Sequence, residues 1–512
     1  MKPSSIKLTI LCLLALIYNY VFWQEKLGIN LLLFSTLLIA ALFYFYPQSW
    51  KATNVRISTL FTILSLIMVV WHNSLTSKLA HVTSFLIMAG FIHVREYRTV
   101  YNALASYVFN FFAVVPNFIS EWKHWSEQSK LSSTKTGKSL YQLRFSLIPL
   151  VFFSIFFSIF KIANPVFSDL SDSFFNSIAT FFDQLFANIS FVRILFIVSG
   201  SYLIGSFLYY LYYPQLLASE QKHTNIITRQ RRFVKSQHIN FSLVGLKNEY
   251  TTALILIISV NVLLLIVNII DIRWLWFNFD YSTAGNLAKL VHEGTYMLIL
   301  SILLSMGILL FYFRRSLNFY KNNKLLLQSS YLWIIQNCIL GFSVLLRCYH
   351  YIHEYGLAYK RIGVVVFLIL TYVGLFTLYQ KISQKKSFFY LLRINSWAAY
   401  AMFILLTLVN WDVFIVSYNL QHPNVKMGID LEFLLSRSDK TLPLLDQYKN
   451  RISKELESQR MDDKSYRFDN STKKQYLEDR IQHFITEYPT YSWLSWNYTD
   501  YQAYQYFKTT QK

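Results

Sequence analysis

Long apolar runs separated by short polar segments dominate the first 416 residues of the chain. A helix needs about 20 mostly apolar residues to cross the hydrocarbon core of a membrane. Spanning β-strands would instead alternate apolar and polar positions over about 10 residues, so the runs favour helices. The runs are residues 6–23, 28–46, 57–71, 75–93, 145–162, 191–213, 251–270, 295–313, 328–349, 362–379 and 395–416. The pattern predicts an all-α, polytopic bundle of about 11 transmembrane helices.

Two neighbouring segments leave the number of spans open. Residues 75–94 contain Lys78 and two histidines, and residues 101–119 contain Pro116 within an aromatic run. If one of them crosses and the other lies at the interface, the count stays at eleven; if both cross, every earlier loop changes side. The run at 6–23 is interpreted as a retained span, because no small-residue cleavage site follows it.

Composition and charge support a membrane location and suggest an orientation. Hydrophobic residues make up 54% of the 512 residues and charged residues only 15%, where a soluble chain carries about 25%. The net charge of +21 is concentrated in alternate loops, most densely at 229–235 and 314–324. Cytoplasmic loops are enriched in Lys and Arg, so the N-terminus is predicted inside, in a bacterial cytoplasmic (inner) membrane. No nucleic-acid-binding motif accompanies the basic clusters, so the expected partner is the lipid bilayer and not nucleic acid.

Residues 417–512 differ in kind, because they are rich in both charges and near neutral overall. Two apolar stripes at helical spacing predict helices in this tail. The stripes are Leu445, Tyr448, Ile452 and Leu456, and then Leu477, Ile481, Phe484 and Tyr488. The aromatic residues near its end could bind a glycan or a protein partner, and packing onto lipid headgroups is the favoured alternative. The predicted organisation is N-terminal spans with a basic cytoplasmic loop (1–144), a main transmembrane bundle (145–416) and a soluble, helical, periplasmic tail (417–512).

Polar residues inside predicted spans are candidates for function, since burying them in a membrane is costly. The candidates are Asn261, Asn268, Asp271, Arg347, His350, Glu354 and Asp412. The first three share one helical face, where they could line a substrate path or, as is more common, form hydrogen bonds between helices. Arg347, His350 and Glu354 share another face, and His350 could bridge the other two. Asp412, near the end of the last predicted span, is expected to anchor the start of the tail.

Motifs for catalysis and cofactor binding are absent from the sequence. The string from His350 to Glu354 resembles a metal site only superficially, because it lacks the His-Glu-x-x-His order of metalloproteases. There is no Gly-rich phosphate loop, Cys-x-x-Cys or Gly-x-Ser-x-Gly. No catalytic, cofactor-binding or metal-binding residue is therefore assigned, and no cofactor is expected. The cysteines are Cys12, Cys338 and Cys348. The last two lie about 15 Å apart on one helix and cannot pair there, and the tail has none, so disulfides are not expected.

Several stretches, taken in order, resemble a bacterial family of multi-pass membrane proteins. The stretches are Ala-Asn-Pro-Val-Phe at 163–167, Glu-Tyr-Gly-Leu-Ala-Tyr-Lys-Arg at 354–361, Ser-Tyr-Asn-Leu at 417–420, Gly-Ile-Asp-Leu-Glu-Phe-Leu-Leu-Ser at 428–436, Pro-Leu-Leu at 443–445, Trp493 and Ser-Trp-Asn at 495–497. The family is the domain of unknown function 4153, with a close relative numbered 4173. The resemblance covers roughly 145–507 and departs from the family at Ala358, where threonine is expected. It implies an integral membrane protein without an established activity.

These observations leave three functions open. The favoured one is a non-catalytic membrane scaffold, assembly factor or sensory component that displays its helical tail outside the membrane. The polar faces at Asn261 and Arg347 also suggest a transporter or flippase-like protein. A membrane enzyme resembling lipid-linked glycosyltransferases is the third, although the first outer loop around Glu25 offers few acidic residues. Whether the chain is an enzyme stays open, with a non-enzymatic role favoured.

Overall fold

A computed structural model describes residues 4–128, 152–185, 190–210, 212–229, 239–277, 287–314, 316–422, 430–450, 452 and 467–510. Over these residues the fold is all-α, and the β-type pairing found there is one isolated bridge between Ile226 and Lys386. The predicted helical class is therefore confirmed.

The described residues include twenty α-helices, together with several short 3-10 helices. In chain order, α1 to α10 are Ser4–Phe22, Ile29–Phe45, Thr53–His72, Leu75–His93, Val100–Phe112, Val114–Gln128, Phe152–Ala163, Pro165–Leu185, Phe191–Leu208 and Pro214–Lys222. Helices α11 to α20 are Ile239–Asp271, Leu287–Tyr312, Lys324–Tyr355, Tyr359–Ser383, Phe388–Leu405, Trp411–Gln421, Leu431–Leu435, Leu442–Gln447, Arg467–Glu487 and Tyr498–Thr510. A π-helical turn, Ile272–Trp276, follows α11 directly.

Nine helices among the described residues are long and apolar enough to cross a membrane. They are Ser5–Phe22, Thr53–His72, Leu75–His93, Phe191–Leu208, Gly245–Trp276, Gly294–Tyr312, Lys324–Tyr355, Tyr359–Ser383 and Phe388–Leu408. Helices α5 and α6 could form a tenth span, bent by 73°. The runs at 28–46 and 145–162 correspond within the described residues to shorter apolar helices, α2 and α7. A membrane protein with many spans is thus supported, while the count of eleven and the inward N-terminus stay predictions.

The chain forms two compact units, and the first comprises Met1–Ala218 with Tyr488–Tyr501. Helix α4 packs against α3 and α5, and α1 packs against α9. Small residues allow these helices to approach closely, as is typical of membrane proteins. Thr62 on α3 and Ser84 on α4, for example, are both fully buried, and their hydroxyl oxygens lie 2.9 Å apart.

The second unit comprises Ser219–Glu487 and Gln502–Lys512. Helix α13 contacts α11, α12 and α14, and its Trp333 and Leu340 are buried in a core that also includes Ile257 and Leu309. The division into residues 1–144, 145–416 and 417–512 was predicted from composition rather than from contacts, and it stays a prediction.

The tail contains helices at both predicted stripes. Helix α19 buries Leu477, Ile481 and Phe484, as the stripe predicted, and it begins at Arg467. Leu456 of the first stripe lies outside the described residues. The Asp439 carboxylate accepts a hydrogen bond from Arg480 on α19, with 2.7 Å between Oδ1 and Nε.

Candidate functional site

A ladder of polar side chains runs along the interface between α11 and α13. Asn261 donates from Nδ2 to the carbonyl oxygen of Ser329 at 3.0 Å, and its Oδ1 accepts from Nε2 of Gln336 at 3.2 Å. Asn268 donates to the carbonyl oxygen of Gln336 at 3.1 Å. The shared face of α11 predicted from the sequence therefore points at a neighbouring helix, where its amides link the two backbones.

The ladder ends in an ion pair between Asp271 and Arg347. Oδ1 of Asp271 lies 2.6 Å from Nη2 of Arg347, and the two side chains are only 5% and 10% exposed. The structure thus joins two sets of candidates that the sequence placed on separate faces. In such a buried pair each charge stabilises the other, because removing one partner leaves an uncompensated charge in a medium of low polarity.

Several buried polar atoms of this site have no hydrogen-bond partner within the described part of the chain. They are Oδ2 of Asp271, Nε of Arg347, Oδ1 of Asn268 and Oε1 of Gln336. A donor and several acceptors are therefore available within one stretch of the interface. Helix α12 also approaches the pair, since a Cβ added at Gly294 would lie 3.2 Å from Nη1 of Arg347.

His350 and Glu354 are the other candidates on this face of α13. Arg347 pairs with Asp271, because α11 packs along the same face, and a bridge through His350 stays a prediction. Glu354 is buried, and its Oε1 lies 3.6 Å from Nδ1 of His353. Among the residues that the structure describes, no group of three or more His, Cys, Asp or Glu side chains could hold a metal ion.

Asp412 belongs to a separate contact at the start of α16. Its Oδ1 accepts a hydrogen bond of 2.9 Å from the hydroxyl of Tyr359, the first residue of α14. The neighbouring Asn410 caps α16, because its Oδ1 accepts from the backbone N–H of Val413. These two contacts cap α16 and link its start to α14, while the anchoring of the tail by Asp412 stays a prediction.

The sequence did not indicate a cavity of about 680 Å³ in the first unit. Helices α1, α2, α4, α5 and α9 line it, mostly with aromatic and aliphatic side chains. Two of its polar residues face each other, with 3.0 Å between Oγ of Ser35 and Nε2 of His81. At one end Glu25, in the loop between α1 and α2, also lines the cavity. Its walls come from five helices spread between residues 4 and 208, so no local pattern could reveal it.

The loop between α1 and α2 is also where the aromatic end of the tail docks. The backbone N–H of Ile29 donates to the carbonyl oxygen of Trp496 at 3.0 Å. The hydroxyl of Ser495 donates to Glu25 and accepts from the backbone N–H of Lys26, the latter at 2.8 Å. Gly28 is needed for this approach, since a Cβ there would lie only 2.5 Å from the Trp496 carbonyl oxygen.

Further contacts extend this docked segment in both directions. The ammonium of Lys26 lies 4.2 Å from the ring centroid of Tyr491, within cation–π range. The hydroxyl of Thr499 donates to the carbonyl oxygen of Trp71 at 2.6 Å, and Tyr498 packs against the Trp71 ring. Packing against the protein itself was not among the alternatives that the sequence suggested for these residues.

The chain matches one protein family over residues 33–448, and that family is described as "Domain of unknown function (DUF4153)". The match begins well before the stretches from which the resemblance was inferred, and it ends before the docked tail segment. No curated protein and no solved structure matches the chain.

Proposed function

The chain belongs to the family of domain of unknown function 4153, and we propose that it is a non-catalytic scaffold of the bacterial cytoplasmic membrane. In this proposal its tail lies outside and offers a surface to a protein partner. The observation that carries the proposal is the docking of residues 491–499 onto the loop after α1 and onto Trp71. A segment held by main-chain and side-chain hydrogen bonds has a defined orientation, which a binding surface needs.

The rest of the tail has the internal order that a binding module requires. Arg480 on α19 donates to the Asp439 carboxylate and to the carbonyl oxygens of Leu435 and Arg437. One guanidinium thereby holds three positions around α17 and the turn after it. The hydroxyl of Tyr506 donates to Asp446 at 3.0 Å, and burial with this bond raises the pKa of the phenol.

The orientation can be tested by fusing alkaline phosphatase to the chain. A fusion after Lys512 is expected to be active and one after Arg232 inactive, because the enzyme folds only outside the cytoplasm, where its disulfides form. Both fusions are expected to be produced in similar amounts, which immunoblotting checks. An active Arg232 fusion with an inactive Lys512 fusion would overturn the outward display of the tail.

The partner surface can be tested at Trp493, an aromatic residue of the tail that is 63% exposed. Exposed tryptophans are frequent anchors of protein interfaces, so Trp493→Ala is expected to reduce a co-purifying partner at least ten-fold. The measurement is quantitative mass spectrometry after purification of the full chain in mild detergent. Trp50→Ala is the matched control, because Trp50 is 51% exposed and lies outside the tail. Equal recovery of every protein with both variants would contradict the proposal.

A transporter-like role is the second candidate, and the Asp271–Arg347 pair favours it. Intramembrane charges mark substrate and proton pathways in many membrane proteins. Oδ2 of Asp271 and Nε of Arg347 have no partner within the described residues and could contact a polar substrate. Separating this role from a structural one requires variants that keep the unit stable.

A further inference from the structure

We propose that the cavity of the first unit is a binding site for a membrane phospholipid, with one acyl chain inside and the headgroup at the Glu25 end. The cavity volume of about 680 Å³ falls within the range of ligand sites in proteins, roughly 300–1,000 Å³. Three of its five lining helices, α1, α4 and α9, are candidate spans. The medium around the cavity is therefore hydrocarbon, and phospholipid is the most abundant ligand available to it.

The length of the cavity matches the depth of one leaflet. Its wall on α9 extends from Phe196 to Phe207, and at 1.5 Å per residue this distance is about 16 Å. Half of a hydrocarbon core of about 30 Å is close to the same value. A single acyl chain lying along the helices would therefore occupy the cavity from end to end.

The walls suit a hydrocarbon chain better than water. Phe207 packs against Phe85 and Tyr107, with centroids 4.9 and 4.8 Å away, so the end far from Glu25 is aromatic. Apolar cavities of this kind stay dry and bind apolar molecules. Oγ of Ser35 and Nε2 of His81 contact each other, which leaves one polar position on a mostly apolar wall.

The opposite end has the polarity of a headgroup site. Glu25 lines it, and Lys26 follows in the same loop. An ammonium of a zwitterionic head would pair with the Glu25 carboxylate while its phosphate faced Lys26. Residues Trp23 and Phe196 pack edge to face at this end, at 5.3 Å, as interfacial aromatic residues do. The docked tail segment contacts the same loop through Ser495.

Photo-crosslinking tests this site directly. The full chain is reconstituted in vesicles of phosphatidylethanolamine and phosphatidylglycerol, in which a small fraction of the phosphatidylethanolamine carries a diazirine at the end of one acyl chain. After illumination, adducts are expected to concentrate on the distant residues of the cavity, Leu38, Phe85 and Phe207. An even distribution between these residues and Leu60, which is 62% exposed on α3 outside the cavity, would overturn the proposal.

A matched pair of valine variants separates the cavity from the lipid-facing surface. Val108→Trp places an indole at the cavity wall, whereas Val198→Trp makes the same change on α9 outside the cavity. The two valines are comparably exposed, 42% and 57%, so only their position relative to the cavity differs. Val108→Trp is expected to reduce the cavity adducts at least five-fold and Val198→Trp to leave them unchanged. If Val108→Trp does not elute as a folded protein in size-exclusion chromatography, Val82→Trp, at a second lining position, replaces it as the cavity variant. Equal labelling of a folded cavity variant and the control would refute the site.

Discussion

Asp271→Leu is expected to lower the free energy of unfolding of the second unit by about 3–5 kcal/mol, which is the usual cost of breaking a buried ion pair. The change leaves the Arg347 guanidinium buried, 10% exposed, without the carboxylate that lies 2.6 Å away in the native chain. Arg347→Leu is expected to have a similar effect, because it leaves the Asp271 carboxylate unpaired. Unfolding in detergent, followed by circular dichroism against added SDS, measures both losses.

The double variant distinguishes a structural pair from a functional one. When both residues are leucine, no buried charge remains, so most of the lost stability is expected to return. Asp412→Asn is the control, because an amide oxygen can still accept from the Tyr359 hydroxyl at the exposed start of α16, so the change is expected to cost less than about 1.5 kcal/mol. A double variant as unstable as the sum of the single variants would contradict this account of the pair.

The same double variant tests the transporter-like role. If the pair contacts a substrate, the folded double variant is expected not to transport it. If the pair is only structural, the folded double variant is expected to transport it at the native rate. Reconstituted vesicles loaded with candidate polar solutes provide the measurement. Unchanged uptake and release with a stable double variant would remove this second candidate.

The sequence predicts individual helices and their faces more readily than the contacts between them. Spacings of 7 and 10 residues were enough to place Asn261, Asn268 and Asp271 on one face of α11. Arg347 lies 76 positions away from Asp271, and only the packing of α11 on α13 brings the two charges together. Hydropathy could not show that α2 is short, or that α5 and α6 are separated by a bend of 73°.

The docking of the tail was beyond sequence reasoning for a different physical reason. Its central hydrogen bond joins two backbone groups, the N–H of Ile29 and the carbonyl of Trp496. Nearly every residue type has the same backbone groups, so the sequence cannot indicate which of them will pair. The sequence feature that reflects this contact is the glycine at position 28, because the absence of a side chain there leaves room for the tail segment. Glycine in a loop is equally typical of a tight turn, so its presence at this position does not by itself indicate a docked segment.

Gly28→Val is therefore expected to release the tail from the loop between α1 and α2. The added Cβ would lie 2.5 and 2.6 Å from the carbonyl oxygens of Trp496 and Ser495, and both are backbone atoms that cannot rotate away. Overpacking of this kind costs about 1–3 kcal/mol, which corresponds to a five- to 150-fold increase in the undocked fraction. Limited proteolysis between Tyr488 and Tyr501, timed by mass spectrometry of the reconstituted chain, is expected to accelerate by that factor.

The chain offers a matched control for this experiment in Gly363 on α14, where an added Cβ would meet no atom within 4 Å. Gly363→Val is expected to leave cleavage of the tail at the native rate, because its side chain projects into open space. Gly28→Ala carries the same Cβ as Gly28→Val with less bulk beyond it, so its rate is expected between those of the native chain and the valine variant. Native cleavage rates in both Gly28 variants would mean that residues 491–499 do not dock on this loop, and the scaffold proposal would lose its main support.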